Sequence, residues 1–535
     1  NLSIQMDSKP IRDSREAGVR PFVLFCAIIA SLGTFNSGMN TVCTNALRCS
    51  ALNIPGDYVR NCPEPGIQNY PGSSLPQCIP MSDWVWGVAT GMFAIGGLIG
   101  SAIAKYMSEN FGRRNSMIMI NVTFIIGAAL LSTATTSGQF AVGRIFVGIG
   151  SGFSTVVVSV YIAEIAPPKN RGALGTLLQL MTTIGILVIE AIGLGLRSPV
   201  GWRIATVITV VPAIVQMVCL PFCAKSPRWL ISKNRIDEAQ IELLRLRHGD
   251  IEQEFQEMVS SAQKKKIGEK EAAMAGTTDL PAEGDSAVVD ESAPTPYESE
   301  IALSVPELLR IPVFLKLTIC MMIMHGGSQL SGINAIMYYS TTIFQISFGD
   351  NAPYVTVGVG ALNVCLTVVS LLVIDRLGRK ALLIISEFGM CIFCVIMTIS
   401  VVFGIAALQV VCIMLFVCCF AVGLGVIPFI YTAEVYPTYA VGAATSMALV
   451  VNWFFNFIIG LIYPTLQAAL GGYVFLIFAG IGLVHGIFTI FFIRETKGKS
   501  IETIGKEMGW IDINPREIKG VEPAPAVAAP VDEKA

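Results

Sequence analysis

Side chains that both donate and accept hydrogen bonds recur inside the longest apolar stretches of this sequence. Gln179, Gln329, Asn334, Asn363, Asn452 and Asn456 each interrupt a run of aliphatic, aromatic and glycine residues. An amide in such surroundings is costly unless something satisfies it. A neighbouring helix can do so through interhelical hydrogen bonds. So can a neutral solute bearing several hydroxyls, each of which donates and accepts as an amide does. Gln329 and Asn334 stand five residues apart, which places them at a break or turn rather than along one regular helical face. Trp453 beside Asn452 adds an aromatic face suited to the weakly apolar side of a ring-shaped polyol.

A second set of chemically active residues is charged. Glu109, Arg113, Arg114, Arg144, Glu164 and Arg171 are read as lying at the cytosolic helix ends of the first part of the chain. Asp375, Arg376, Arg379 and Glu434 occupy matching places in the second. Opposite charges there can pair while an inner gate is closed and separate when it opens; ordinary topology signals would leave a similar pattern. Two acids, Glu190 and Glu387, sit inside apolar runs and are functional candidates, with a helix-end acid and a packing residue as the alternatives. Other chemistries find no support. The Gly-Lys-Ser at 498–500 lacks the upstream glycine of a phosphate loop. The three histidines, His248, His325 and His485, are scattered, so no metal, cofactor or enzymatic activity is expected.

Long apolar helices must position these residues. Of 535 residues, 53% are hydrophobic and only 14% charged, too few to cover a water-facing surface. The net charge of -2 gives no reason to expect a nucleic-acid partner. A spanning helix needs about 20 mainly apolar residues. Twelve such windows are present, at 21–43, 84–106, 116–134, 140–162, 172–196, 202–223, 312–337, 354–374, 380–402, 408–431, 441–465 and 471–493. Basic residues concentrate in the even-numbered loops (Lys105, Arg113, Arg114; Lys169, Arg171; Arg376, Arg379, Lys380) and in both tails. That bias puts both termini in the cytosol, and the polar start of the chain reads as a tail before a signal-anchor helix. The sequon at Asn121 then falls inside a span and should stay unglycosylated. Cys49, Cys62 and Cys78 share the first outer loop, where one disulfide can form; the sequence does not choose the pair.

The expected organisation is an all-α membrane protein: a cytosolic tail (1–20), a six-helix half (21–223), a cytosolic linker (224–311), a second six-helix half (312–493) and a cytosolic tail (494–535). The linker begins with short amphipathic helices, and its stretch 268–300 has the composition of a disordered segment. The halves echo one another. Phe-Gly-Arg-Arg at 111–114 returns as Leu-Gly-Arg-Lys at 377–380, and Ala-Glu-Ile-Ala-Pro at 163–167 returns as Ala-Glu-Val-Tyr-Pro at 433–437, at nearly one offset. Paired six-helix repeats with a midplane site are the plan of an alternating-access transporter.

Six motifs in order extend this reading: 111–117, Gly-Arg at 143–144 with glycines at 148, 150 and 152, 161–167 leading to Arg171, Ser-Pro-Arg-Trp-Leu at 226–230, Gln-Leu-Ser-Gly-Ile-Asn-Ala-Ile-Met-Tyr-Tyr-Ser at 329–340, and Glu-Thr-Lys-Gly at 495–498. With them the chain resembles the sugar porter family of the major facilitator superfamily over essentially its full length, with stretches similar to facilitative glucose transporters and fungal hexose carriers. The resemblance implies a twelve-helix major facilitator fold, a hexose-like sugar as small-molecule partner, membrane lipid around a monomer, and residence in the plasma membrane or a vacuolar membrane. It makes Gln179, Gln329, Asn334, Asn363, Asn452 and Asn456 sugar-contacting or cavity positions, and assigns the charged sets above to the inner gate.

Several residues depart from the family pattern. Phe429 stands where the glucose facilitators have tryptophan, keeping the ring but losing its N–H. Ser328 replaces the first glutamine of the span-seven motif and, like Phe429, stays a candidate sugar contact by its position; Ala421, Leu424 and Val426 replace a glutamate and two prolines in span ten. Lys225 replaces an acid, Val441 an arginine and Arg494 a proline in the inner charge network. Asn40 stands where the family's proton symporters have an aspartate, and no acid lies in 21–43. An amide does not titrate, so facilitated diffusion is expected. Proton symport through Glu190 or Glu387, a non-transporting sugar sensor, and a carrier of another polyol are the alternatives.

Overall fold

The computed structural model describes residues 18–46, 68–167, 170, 174–196, 198, 200–260, 303–499, 501–511 and 513. Arg171, Cys49, Cys62 and the stretch 268–300 lie outside these, and Asp375 is described by its backbone alone. Among the described residues, eleven stretches are long and apolar enough to cross a membrane. The last of them, Tyr439–Phe492, contains two helices joined by a short turn at Gly471–Tyr473, so the spans number twelve.

The first half comprises α1 (Pro21–Ala46), α2 (Asp83–Phe111), α3 (Arg113–Ser132), α4 (Ser137–Ile165), α5 (Leu177–Gly195) and α6 (Gly201–Phe222). Local chemistry sets several starts. The Ser82 hydroxyl accepts from the Val85 N–H and the Thr136 hydroxyl from the Gln139 N–H, satisfying donors that a first turn leaves open. The second half comprises α7a (Pro312–Leu330) and α7b (Ile333–Phe348), α8 (Ala352–Leu377), α9 (Arg379–Val402), α10a (Ala406–Val422) and α10b (Ile427–Val435), α11 (Thr438–Leu470) and α12 (Val474–Phe492). The apolar window of span seven therefore contains a break at Ser331 and Gly332, where Gly332 takes φ +95°. Span ten breaks over residues 423–426.

Lipid offers no hydrophobic drive between helices, so close backbone approach and buried polar bonds do the work. A methyl group at Gly148 would fall 2.1 Å from the Phe93 carbonyl oxygen, and one at Gly152 2.0 Å from that of Gly97, so α2 and α4 pack through glycine. Gln216 of α6 donates to the carbonyls of Ile29 (3.0 Å) and Ala30 (2.7 Å) on α1 and accepts from Asn121 of α3 (2.9 Å). One amide thus fastens three helices, and the Asn121 side chain is buried within its span. Cys78 is disulfide-bonded.

The halves meet along their outer portions. A Cβ at Gly87 of α2 would sit 2.4 Å from the Leu461 oxygen of α11, and one at Gly97 2.5 Å from the Trp453 ring. Here α1 also packs on α7b, and α5 on α8. On the cytosolic side, short helices Pro227–Ser232 and Ile236–Leu246 follow α6. The buried Arg247 donates to the Ile165 (2.6 Å) and Ala166 (3.1 Å) carbonyls at the end of α4 while pairing with Glu254 at 3.0 Å. The linker is thereby riveted to the first half. In the second, the tail helix Ile501–Met508 leads to Trp510, whose indole N–H donates to the Val435 carbonyl (2.9 Å) at the end of α10b.

Candidate functional site

The amides of α5, α8 and α11 keep their hydrogen-bonding capacity. Among the described residues, the side chains of Gln179 (half-buried), Asn363 and Asn452 (both buried) have no protein partner, and none of their polar atoms is sealed from solvent. Across the break of α7, the Asn334 amide donates to the Gln329 side-chain oxygen, so two residues held apart by Ser331 and Gly332 act as one unit. That unit retains both Gln329 N–H groups, the second Asn334 N–H and the Asn334 oxygen. Asn456 accepts from the Tyr338 hydroxyl at 2.6 Å, which ties α7b to α11. Phe429 presents 42% of its surface and meets His325 edge-to-face at 5.0 Å.

Ser328 turns away from this group. Its hydroxyl donates to the Leu424 carbonyl at 3.1 Å, in the break of α10, and the side chain is buried. The Leu424 N–H in turn bonds Ser386 of α9 at 3.2 Å. A serine is too short to reach far, and the opened carbonyls of α10 lie nearest. His325 was not among the expected residues; it is buried, with its Nε2 3.1 Å from the Thr432 hydroxyl. Glu387 and His485 are likewise brought together, with Nδ1 of the imidazole 3.0 Å from the carboxylate and the Thr489 hydroxyl 2.7 Å from the same oxygen.

The charged residues sort into two layers. Arg113 pairs with Glu164 at 2.8 Å, joining α3 to α4, and Arg379 with Glu434 at 2.9 Å, joining α9 to α10b. Each pair lies within one half and so does not bridge the halves. Arg114 is spent on the carbonyls of Pro221 (3.1 Å) and Cys223 (3.0 Å) at the end of α6. Glu109 is exposed, has no ion partner among the described residues, and offers its carbonyl to the Trp229 indole (2.9 Å). Arg376 is exposed, and its carbonyl accepts from Lys497 (2.6 Å). Arg144 does not belong to the cytosolic layer. It precedes Glu164 by twenty residues of one helix, about 30 Å along α4. There it is buried, donating to the Asn40 carbonyl at 2.6 Å with its guanidinium 4.7 Å from the Phe93 ring centroid. The Asn40 amide bonds Asn36 on its own helix.

The departures from the family pattern also find places. Lys225 pairs with Glu238 at 3.3 Å. Glu434 takes a second partner in the Thr496 hydroxyl, while Val441 is half-buried at the start of α11. The Arg494 N–H bonds the Tyr431 hydroxyl at 3.1 Å. Glu495 caps α9: its carboxylate accepts from the N–H groups of Arg379 (2.9 Å), Lys380 (3.0 Å), Thr496 (3.1 Å) and Lys497 (3.0 Å). Burial alone would raise this carboxyl, but the four backbone donors outweigh it and hold it below the usual carboxylate range.

Twelve spans in two halves, two broken helices in the second half and polar side chains around the breaks define a secondary transporter of the major facilitator type. The family described as Sugar (and other) transporter matches residues 23–508, and the chain belongs to it. The facilitated glucose transporter member 3 of solute carrier family 2 from Mus musculus is 33% identical over 500 residues, covering 91% of this chain and 93% of that protein. Its counterpart from Homo sapiens is 32% identical over 498 residues, covering 91% and 92%. The partially occluded inward open structure of the xylose transporter XylE from E. coli matches with a TM-score of 0.68 at 22% identity, over 90% of this chain and all of that one. At that identity the likeness speaks for the fold.

Proposed function

We propose that this multi-pass membrane protein carries a hexose-like sugar by alternating access, as a facilitated-diffusion carrier. The observation that carries the reading is the set of amides without protein partners, Gln179, Asn363 and Asn452, together with the Gln329–Asn334 unit at the break of α7 and the exposed ring of Phe429. Such groups match a ring of hydroxyls with one weakly apolar face. The relatives named for facilitated glucose transport support the solute class. Asn40 supports the passive mode, because the residue whose backbone carbonyl Arg144 holds carries an amide rather than a group that can gain and lose a proton. Arg113–Glu164 and Arg379–Glu434 act in this reading as braces of the cytosolic ends, fixing each half while it moves. The plasma membrane is the proposed residence and a monomer the proposed state.

The test is counterflow of labelled glucose in proteoliposomes, with and without a protonophore. Counterflow and net uptake that both survive loss of the proton gradient are expected. Absence of counterflow for every hexose tried, from folded protein, would overturn the sugar reading. A proton-coupled mode is the second reading, favoured by the buried Glu387–His485 pair; its mark is uphill uptake that the protonophore abolishes.

A further inference from the structure

We propose that Glu190 is a proton site on the outer seam between the two halves, and that its occupancy sets how readily this seam opens. The inference rests on the alternating-access reading. Glu190 lies on α5, five residues before its outer end at Gly195, hence about 7 Å from that end and about 20 Å from the cytosolic start at Leu177. Its side chain is aimed across the boundary at α8 of the other half. A Cβ built on Gly360 would meet the Glu190 Oε2 at 2.3 Å, so the carboxyl lies directly against the α8 backbone. That oxygen is sealed from solvent and has no hydrogen-bond partner, and the residue as a whole is 6% exposed.

Among the described residues no cation compensates it. The helices packed against α5 are α1, α4, α6 and α8. Among them, α1 carries no acid or base between Pro21 and Ala46. On α4, Arg144 is engaged with the Asn40 carbonyl and the Phe93 ring, and Tyr161 and Glu164 lie toward the other end of the helix. On α6, Arg203 donates to the carbonyls of Ser132, Pro76 and Ala134. On α8, Tyr354 is largely exposed near the outer end, while Asp375 and Arg376 lie at the cytosolic end, about 24 Å beyond Gly360. Burying an unpaired carboxylate costs far more than burying the neutral acid. The packed seam therefore holds Glu190 as the acid. When α8 withdraws, the carboxyl meets water and can ionise.

Linkage then fixes the direction: whatever protonates Glu190 favours the closed outer seam, and whatever removes the proton favours the open one. Because the seam opens outward, the proton enters and leaves on the same side. The outer pH thus biases the conformational equilibrium without a proton being carried across, which accords with facilitated diffusion. The family's charge at Asn40 plays no part in this device.

Hydrogen exchange of the full-length protein in sugar-free nanodiscs tests it, followed at residues 352–363 of α8 over a series of pH values and corrected for intrinsic exchange chemistry. The wild type should lose protection there as the pH rises. Glu190→Gln, a lasting mimic of the neutral acid, should keep the acid-side protection throughout. A wild type without pH dependence, or a Gln variant that follows it, overturns the proposal. If the Gln variant does not fold, Glu190→Asp keeps the acid one methylene further from Gly360 and should shift the midpoint; an unmoved midpoint overturns it equally. Glucose counterflow in matched vesicles separates the two claims. Protection that follows pH with no counterflow retains the seam and sinks the sugar reading, and counterflow with flat protection does the reverse.

Discussion

Replacing Glu495 by alanine should loosen the start of α9. The carboxylate accepts the N–H groups of Arg379 and Lys380, two of the donors that the first turn of a helix leaves without partners. It also orders its own loop through Thr496 and Lys497. Loss of an N-terminal cap costs about 0.5–2 kcal/mol, and hydrogen bonds to a charged group reach about 1.5–3 kcal/mol. Glu495 is half-exposed, so water replaces part of what is lost; we expect about 1–2 kcal/mol. The helix starts at a glycine for a matching reason. Gly378 takes φ +91°, and a Cβ there would lie 2.7 Å from the Glu495 Oε2. The assay is hydrogen exchange over residues 379–383, with detergent melting as the global readout. Exchange in that turn should rise while α3, the equivalent helix of the first half, stays unchanged. The effect has a pH signature as well. Because the folded-state carboxyl is held below its ordinary range, its contribution is fully present above that range (about 4.3) and is lost as pH falls through the lowered folded value. Glu495→Gln should flatten this acid limb. Identical exchange at the start of α9 in wild type and Glu495→Ala would refute the capping argument.

Three further outcomes are expected. Gln329→Ala should weaken sugar binding by about 0.5–1.5 kcal/mol, whereas Ser328→Ala should leave affinity unchanged and lower the melting temperature, because its hydroxyl serves the Leu424 carbonyl; equal losses of affinity in the two variants would contradict this division. Gly152→Ala should cost about 1–3 kcal/mol or prevent folding, since the new methyl would collide with the Gly97 carbonyl; wild-type yield and melting would count against the close α2–α4 packing. Asn40→Asp should put a titratable carboxyl on the residue whose backbone carbonyl Arg144 holds and make uptake depend on the proton gradient; uptake indifferent to a protonophore would show that this position alone does not confer coupling.

Much of this architecture was legible because lipid enforces a simple code. Apolar length gave the twelve spans, and repeated loop motifs gave the two halves. The five-residue spacing of Gln329 and Asn334 announced the break in α7 that the structure contains. The misplacement of Arg144 is instructive. Its charge groups it with the gate, yet span four runs inward from the outer side, so a residue two turns past its start must lie near the outer face. Ser328 looked like a substrate position because of its neighbours in sequence, but a short hydroxyl bonds whatever backbone is nearest, and α10 supplies it. His325 facing Phe429, and His485 meeting Glu387, had no local signal at all. Each pairs residues from helices distant in the chain, and periodicity carries no information about such partners.

The two halves are built with different materials. In the first, α2 and α4 touch backbone to backbone through glycines, and Gln216 pins α1, α3 and α6 with three side-chain bonds. Close packing of this kind resists gradual deformation. In the second, α7 and α10 are both interrupted in the membrane, and their freed backbone groups are satisfied by short hydroxyls, Ser328 on the Leu424 carbonyl and Ser386 on its N–H. Such bonds can be exchanged at small net cost, about 1 kcal/mol each. Hinges are a few positions that absorb large backbone changes at element ends, and the breaks of α7 and α10 are element ends of that kind. The amides without partners lie on α5, α8 and α11. A solute that bridges the Gln329–Asn334 unit to an amide of the first half therefore pulls on the part of the molecule that yields most easily, against a part that does not.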